Sequence, residues 1–327
     1  MDFPKLIVSA VACAAFLGIG YYFISLSPAT HETPTVSLAE QFPKEATSTT
    51  RWETGEASTS SSQEKKISST TAKNPVATTS VEMFVTCSGL SKSQIQKKQA
   101  PGGPLISFTF DDGFRSAYEK GLPIVNAAGF KTTQYIITGY LDRGGKEYVS
   151  RQDVLAMQKA GNEIGAHSRT HPSLAKVPLS QAEDEICGSR HDLVALGISP
   201  LTFAYPEGSE DPDVEKIVQA AGFAGARGTS ANFDNHESDT YDLQSYAITA
   251  STSVAQMESF IDQAVTNKEW LILDFHRIDE DGNRISATHE FVQAIVDYVK
   301  QKGVPVVTVG EGLGLMQNIS NTTHLRL

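Results

Sequence analysis

The stretch Pro104–Phe130, PLISFTFDDGFRSAYEKGLPIVNAAGF, passes from a short apolar, β-branched run to two adjacent aspartates, a glycine and then a helical spacing of apolar residues. LISFTF reads as a buried strand, and Asp111 and Asp112 close it. Aspartate is favoured at helix N-caps and in turns, so two in a row can be purely structural. They can also be a carboxylate pair that performs chemistry. The rest of the chain separates these readings.

From Leu105 onward the same alternation recurs. LISFTF, TTQYIIT, NEIGAHS, LTFAYP, FAGAR, LQSYAIT, WLILDFH and PVVTV read as strands, with helical periodicity between them and glycine at many helix ends. Seven to eight strands alternating with helices predict an α/β fold with a parallel sheet. A closed or nearly closed (β/α) barrel is the leading architecture, with a doubly wound open sheet as the alternative. In either, catalytic groups gather at the C-terminal ends of the strands. Asp111 and Asp112 end the first strand and His167 the third, with His171 four residues on in HSRTH. Pro206 and Glu207 follow the fourth, Arg227 ends the fifth and His276 the seventh.

Composition narrows the setting. The chain has 327 residues, 40% hydrophobic and 20% charged, enough for a sizeable core, and its formal net charge of −11 argues against nucleic acid as a partner. Leu6–Leu26 is uncharged, long enough to span a bilayer and preceded by Lys5, so residues 1–28 are expected to form a signal anchor or signal peptide. Of the 51 residues from Thr30 to Ser80, 21 are Ser or Thr, which predicts a disordered linker over 29–80. The folded domain is expected over 81–317, with a tail at 318–327, outside the cytoplasm, held at the membrane or secreted. Three cysteines are too few for a disulfide framework, although Cys87 and Cys187 can pair in an oxidising compartment.

If HSRTH is helical, His167 and His171 lie one turn apart on one face. Two imidazoles and a rim carboxylate suit a divalent metal, leaving the second aspartate free to take a proton from water activated there. His276, across the rim, is placed to protonate a leaving group. Two histidines and a carboxylate also suit iron(II) in an oxygenase, but the second aspartate and the opposed acid favour hydrolysis.

TFDDG, HSRTH, FAYPEG and WLILDFHRI, in that order, resemble carbohydrate esterase family 4, the NodB-homology polysaccharide deacetylases, over roughly Gly103 to Leu315. The resemblance implies a distorted (β/α) barrel that releases acetate from N-acetylated glycans or, alternatively, from acetylxylan. It implies Asp111 as base, Asp112, His167 and His171 as ligands of a divalent metal (zinc first, with Co2+, Mn2+ or Ni2+ as alternatives), and His276 as general acid. Tyr205, Glu207 and Leu273 become the oxyanion and substrate candidates, with the Glu207 backbone N–H as the oxyanion donor. The family arginine that steers the catalytic aspartate is replaced here by Ala204. Arg227 is the expected substitute, its competing reading being a surface or structural arginine. The family's Asp-x-x-Asp-Trp segment is also missing, so Asp274 or Asp279 is left to tune His276. These losses raise a rival reading, a glycan-binding module on a decayed enzyme fold.

Overall fold

The computed structural model describes residues 92–93, 103–143 and 146–323. The expected anchor, 1–28, and linker, 29–80, lie outside the described residues. Among the described residues no helix is long and apolar enough to cross a membrane.

Seven strands form one sheet: β1 (Leu105–Phe110), β2 (Thr132–Ile136), β3 (Glu163–Ala166), β4 (Thr202–Ala204), β5 (Gly225–Arg227), β6 (Tyr246–Ala247) and β7 (Trp270–Phe275). They pair in the order β5-β4-β3-β2-β1-β7-β6, every neighbour parallel. The sheet curls until Leu243, just ahead of β6, bridges Arg227 of β5. A single bridge joins the two sheet edges, so the sheet is curled into a half-barrel, a distorted form of the (β/α) barrel. The eighth run, PVVTV, forms no strand. Because β2 joins β1 only from Phe108 onward, Val306 takes the free position opposite Ile106 in an isolated bridge. The Ile106 N–H donates to Pro305 O (3.0 Å) and the Val307 N–H to Ile106 O (3.0 Å).

Strand alternation sorts β1 and β7 into two faces. Ile106, Phe108 and Phe110, with Leu271, Leu273 and Phe275, face outward into a core built with α1 (Leu122–Ala127), α5 (Val254–Asn267) and α6 (His289–Lys302). Each such buried side chain contributes roughly 1.5–3 kcal/mol. Leu105, Trp270 and Ile272 face the barrel interior, which Val309 and Leu313 of α7 (Val309–Thr323) plug from the N-terminal end. That helix continues into the expected tail at 318–327. Polar interior positions are paired: Ser107 Oγ donates to Val307 O (2.7 Å) and accepts from Trp270 Nε1 (2.9 Å).

The crossover helices carry local start and stop signals. Ser150 and Asp153 form a capping box on α2 (Arg151–Lys159), Asp211 caps α4 (Pro212–Ala221), and Ser253 and Thr288 cap α5 and α6. α3 (Leu179–Ala195) follows Pro178. α1 is entered through a π-helical turn, Ala117–Gly121. Cys187, on α3, is disulfide-bonded; Cys13 and Cys87 both lie outside the described residues.

Candidate active site

A cleft of about 480 Å³ opens at the C-terminal ends of the strands, lined by Asp111, Asp112, His167, His171, Asp274 and His276 among others. The backbone ladder sets their positions. The Asp111 N–H donates to Phe275 O (2.8 Å), tying the end of β1 beside His276, and the His167 N–H donates to Ile136 O (3.0 Å).

HSRTH is not a helix, which corrects the expected spacing argument. It is a loop in which Ser168 (φ 58°) and His171 (φ 66°) adopt left-handed backbone. The turn, rather than helical periodicity, brings the two rings to 4.8 Å between centroids. Asp112 (φ 66°) and Glu207 (φ 58°) are also left-handed. Each such residue costs of order 1 kcal/mol, and their concentration on one rim marks strain held for a purpose.

Asp112 is central to the ligand group. Its Oδ1 lies 3.5 Å from His167 Nε2 and 3.3 Å from His171 Nε2, is buried, and has no hydrogen-bond partner. His167 Nδ1 is 2.8 Å from Ala204 O; a carbonyl only accepts, so Nδ1 carries the proton and Nε2 presents its lone pair to the cluster. Ala204, which supplies no guanidinium, thus supplies the carbonyl that orients a ligand. One carboxylate and two imidazole nitrogens within 4.8 Å of one another, with an orphaned buried oxygen among them, fit a divalent metal. Burial by itself raises the Asp112 carboxyl, but the close approach and charge of His167, with the charges of His276 and His171, carry it down to about 2. Burial likewise opposes charge on His167, yet Asp111 and Asp112 raise it; His171 is lowered by burial and by His167.

A second cluster lies beside the first. Arg227 is fully buried, donates to Asp111 Oδ1 and to Asp274 Oδ1 (3.2 Å), and rests over the Tyr135 ring at 4.8 Å. The surface reading of Arg227 is therefore excluded: its guanidinium sits against Asp111, as the missing family arginine was expected to. Asp111, Asp274 and His276 also offer a possible metal set, but Arg227 already balances the two carboxylates, so the group suits proton transfer better. Burial raises the Asp274 carboxyl to about 6 against the opposing charge of Arg227. Its Oδ1 is 4.0 Å from His276 Nδ1. Asp279, the other expected partner of His276, instead pairs with Lys120 (2.6 Å) and Arg277 (3.5 Å).

The remaining candidates divide. Glu207 is exposed and lines the cleft. Tyr205 touches the cleft too, but it is 1% exposed and its hydroxyl donates to Tyr241 O (2.9 Å), leaving only ring surface to offer. Leu273 is a correction. It is fully buried in the outward-facing core, because alternation turns its neighbour Asp274, and not Leu273, toward the cleft.

Glu185 of α3 was not anticipated. Its carboxylate accepts from the Arg169 and Thr170 N–H groups (both 2.8 Å) and from Thr170 Oγ1 (2.5 Å), clamping the loop that carries His167 and His171. Asp192 adds a brace, taking Arg169 Nε (3.0 Å) and Nη2 (2.9 Å) and Thr138 Oγ1 (2.7 Å). Both lie in an ordinary amphipathic helix, with no local signal. Glu185→Ala is expected to weaken metal binding about 10–100-fold, as loss of such supports does. Competition against a chromophoric chelator measures this, and an unchanged affinity would assign Glu185 to folding alone.

The polysaccharide deacetylase family model matches residues 98–226, which include Asp111, Asp112, His167, His171 and Glu207 but stop short of Arg227 and His276. YxkH of Bacillus subtilis (strain 168), provisionally named a polysaccharide deacetylase, is 20% identical over 169 residues, 51% of this chain and 60% of that protein. YlxY of the same organism, an uncharacterized protein, is 27% identical over 114 residues, 34% of each chain. The chain thus spans about 60% and about a third of the lengths of these two curated relatives. Among solved structures, the Xyl-CE4 domain of a multidomain xylanase from the hindgut metagenome of Trinervitermes trinervoides is 20% identical, with 64% of this chain and 89% of that one covered and a TM-score of 0.47.

Proposed function

We propose that this chain is a member of the polysaccharide deacetylase family, whose model matches residues 98–226, and that its domain is a metal-dependent hydrolase of acetyl groups on an extracytoplasmic or cell-envelope glycan. N-acetylated sugars are the favoured substrate and acetylxylan esters the alternative. One observation carries the reading: an unpartnered Asp112 Oδ1 converges with His167 and His171 next to an Asp111 held by a buried arginine.

Asp112, His167 and His171 would hold the ion, zinc first among the divalent metals, and when bound it would acidify water and polarise the acetyl carbonyl. Asp111 accepts the proton of the attacking water. Arg227 keeps that carboxylate aimed. The Glu207 N–H, in its left-handed turn, donates to the oxygen on which negative charge develops. His276 protonates the leaving nitrogen as the carbon–nitrogen bond breaks, giving acetate and a free amine; with an ester it protonates the leaving oxygen. Asp274, on the far side of His276, stabilises the positive imidazolium. The relocated arginine speaks against a decayed binding module, since the group whose absence prompted that idea is supplied from β5. The uncharged run Leu6–Leu26 and the Ser/Thr-rich tract support placement of the domain outside the cytoplasm.

Acetate release from N-acetylglucosamine oligomers and from acetylated xylan tests the reading directly. Chelation should abolish it and added zinc should restore it, with one substrate preferred. Silence on both substrates with metal bound would reject it.

A further inference from the structure

Inside the cleft each charged group faces a partner, except at the rim. Arg227 faces Asp111 and Asp274, and Asp112 faces the two histidines. Two charged lining residues remain, Glu207 and Arg284, which the β4 and β8–β9 loops bring to the same cleft. Arg284 lies in the loop between β8 (Arg277–Ile278) and β9 (Ser286–Ala287), DEDGNRI, whose acids are all engaged elsewhere. Asp279 pairs with Lys120 and Arg277; Asp281 accepts from Ser286 Oγ (2.8 Å) and the Asn283 N–H (3.0 Å); Glu280 accepts from the His289 N–H (3.0 Å). Arg284 itself is exposed and forms no ion pair among the described residues. Its carbonyl accepts from the Ala250 N–H (3.0 Å), and an Asx turn from Asn283 to Ile285 fixes the next step of the chain. The backbone is pinned at the cleft wall while the guanidinium is left available.

We propose that Arg284 is a specificity residue that binds a carboxylate on the sugar neighbouring the one deacetylated, so that the preferred substrate is an anionic glycan rather than a neutral one. This rests on the glycan deacetylase reading above. A guanidinium presents a planar fork that matches a carboxylate in two places, which a hydroxyl does not. The net charge of −11 does not oppose it: at physiological salt, exposed charges more than about 8 Å away are largely screened, whereas a rim contact is not.

The test uses the full zinc-loaded chain with two tetrasaccharides, one alternating N-acetylglucosamine and glucuronate, the other its carboxyl-reduced neutral counterpart. Binding by calorimetry and kcat/KM for acetate release are measured on both, for wild type, Arg284→Ala and Arg284→Lys. The proposal expects wild type to favour the carboxylated form about tenfold, Arg284→Ala to erase that ratio, and Arg284→Lys to keep part of it. Equal binding of the two forms, a preference that survives in Arg284→Ala, or no binding of either overturns it. A charge preference in binding without acetate release would sink the deacetylase reading and, with it, the placement beside a deacetylated sugar, leaving only the Arg284–carboxylate contact. Acetate release without charge preference would do the reverse.

Discussion

Asp111→Asn is expected to lower the rate of acetate release about 10³-fold while the protein still takes up one equivalent of metal. The magnitude is that of removing a positioned general base. Asparagine keeps the shape of the side chain, which is only 2% exposed and leaves no room for rearrangement. What it loses is the ability to accept a proton. The three ligand candidates are kept, since Asp112 Oδ1 stands within 3.5 Å of both histidine Nε2 atoms, whereas Asp111 approaches only that of His167, at 3.6 Å. Acetate release, with metal content by atomic emission on the same sample, separates base from ligand. Loss of the metal would make Asp111 a ligand, and turnover within tenfold of wild type would remove it from the chemistry.

Arg227→Met is expected to destabilise the fold by about 3–5 kcal/mol, the cost of leaving buried charge unpaired. The variant strands Asp111 and Asp274, both buried and until then bonded to one guanidinium, inside the barrel. The pH dependence identifies the cause. Asp274 is raised by burial to about 6 even with Arg227 beside it. A carboxyl raised in the folded state binds more protons there than when unfolded, so stability falls as pH rises above the ordinary value of 3.8 and through the folded value. Removing Arg227 enlarges that effect, and the stability gap between Arg227→Met and wild type should therefore be larger at pH 8 than at pH 5. Denaturant unfolding at the two pH values measures it. Arg227→Met with Asp274→Asn should recover part of the loss, because one stranded charge is gone. A deficit that is flat with pH, and not relieved by Asp274→Asn, would mean that Arg227 stabilises by filling space over Tyr135.

Much of this domain was legible along the chain because its signals are short-range. LISFTF and WLILDFH are apolar, β-branched runs of strand length, and parallel strands buried on both faces need such runs. Caps such as Ser150, Asp211 and Thr288 are chosen within three residues of the N–H groups they satisfy. Rim placement of Asp111, Asp112, His167 and His276 followed from the strand ends alone, since in a parallel barrel the chain delivers its strand-terminal residues to one face.

Other features depended on residues distant in sequence. PVVTV has every property of a strand, yet a strand needs a vacant partner, and β2 leaves β1 open only ahead of Phe108, room for the single bridge at Ile106. HSRTH has helical spacing, but the Glu185 clamp 15–16 residues away holds it as a turn. Leu273 against Asp274 was a matter of face, and a one-residue shift reverses the face entirely.

The amino-acid sequence by itself determined the strand–helix alternation, the parallel barrel and the acid–histidine rim, because propensity, periodicity and capping act over a few residues. Only the tertiary structure decided that Arg227, 116 residues from Asp111, supplies the guanidinium that Ala204 does not, and that Arg284 stands at the cleft wall without an ion-pair partner among the described residues. Ion pairs of that kind form through space once the barrel has closed, and their strength depends on a burial that no local stretch of chain records.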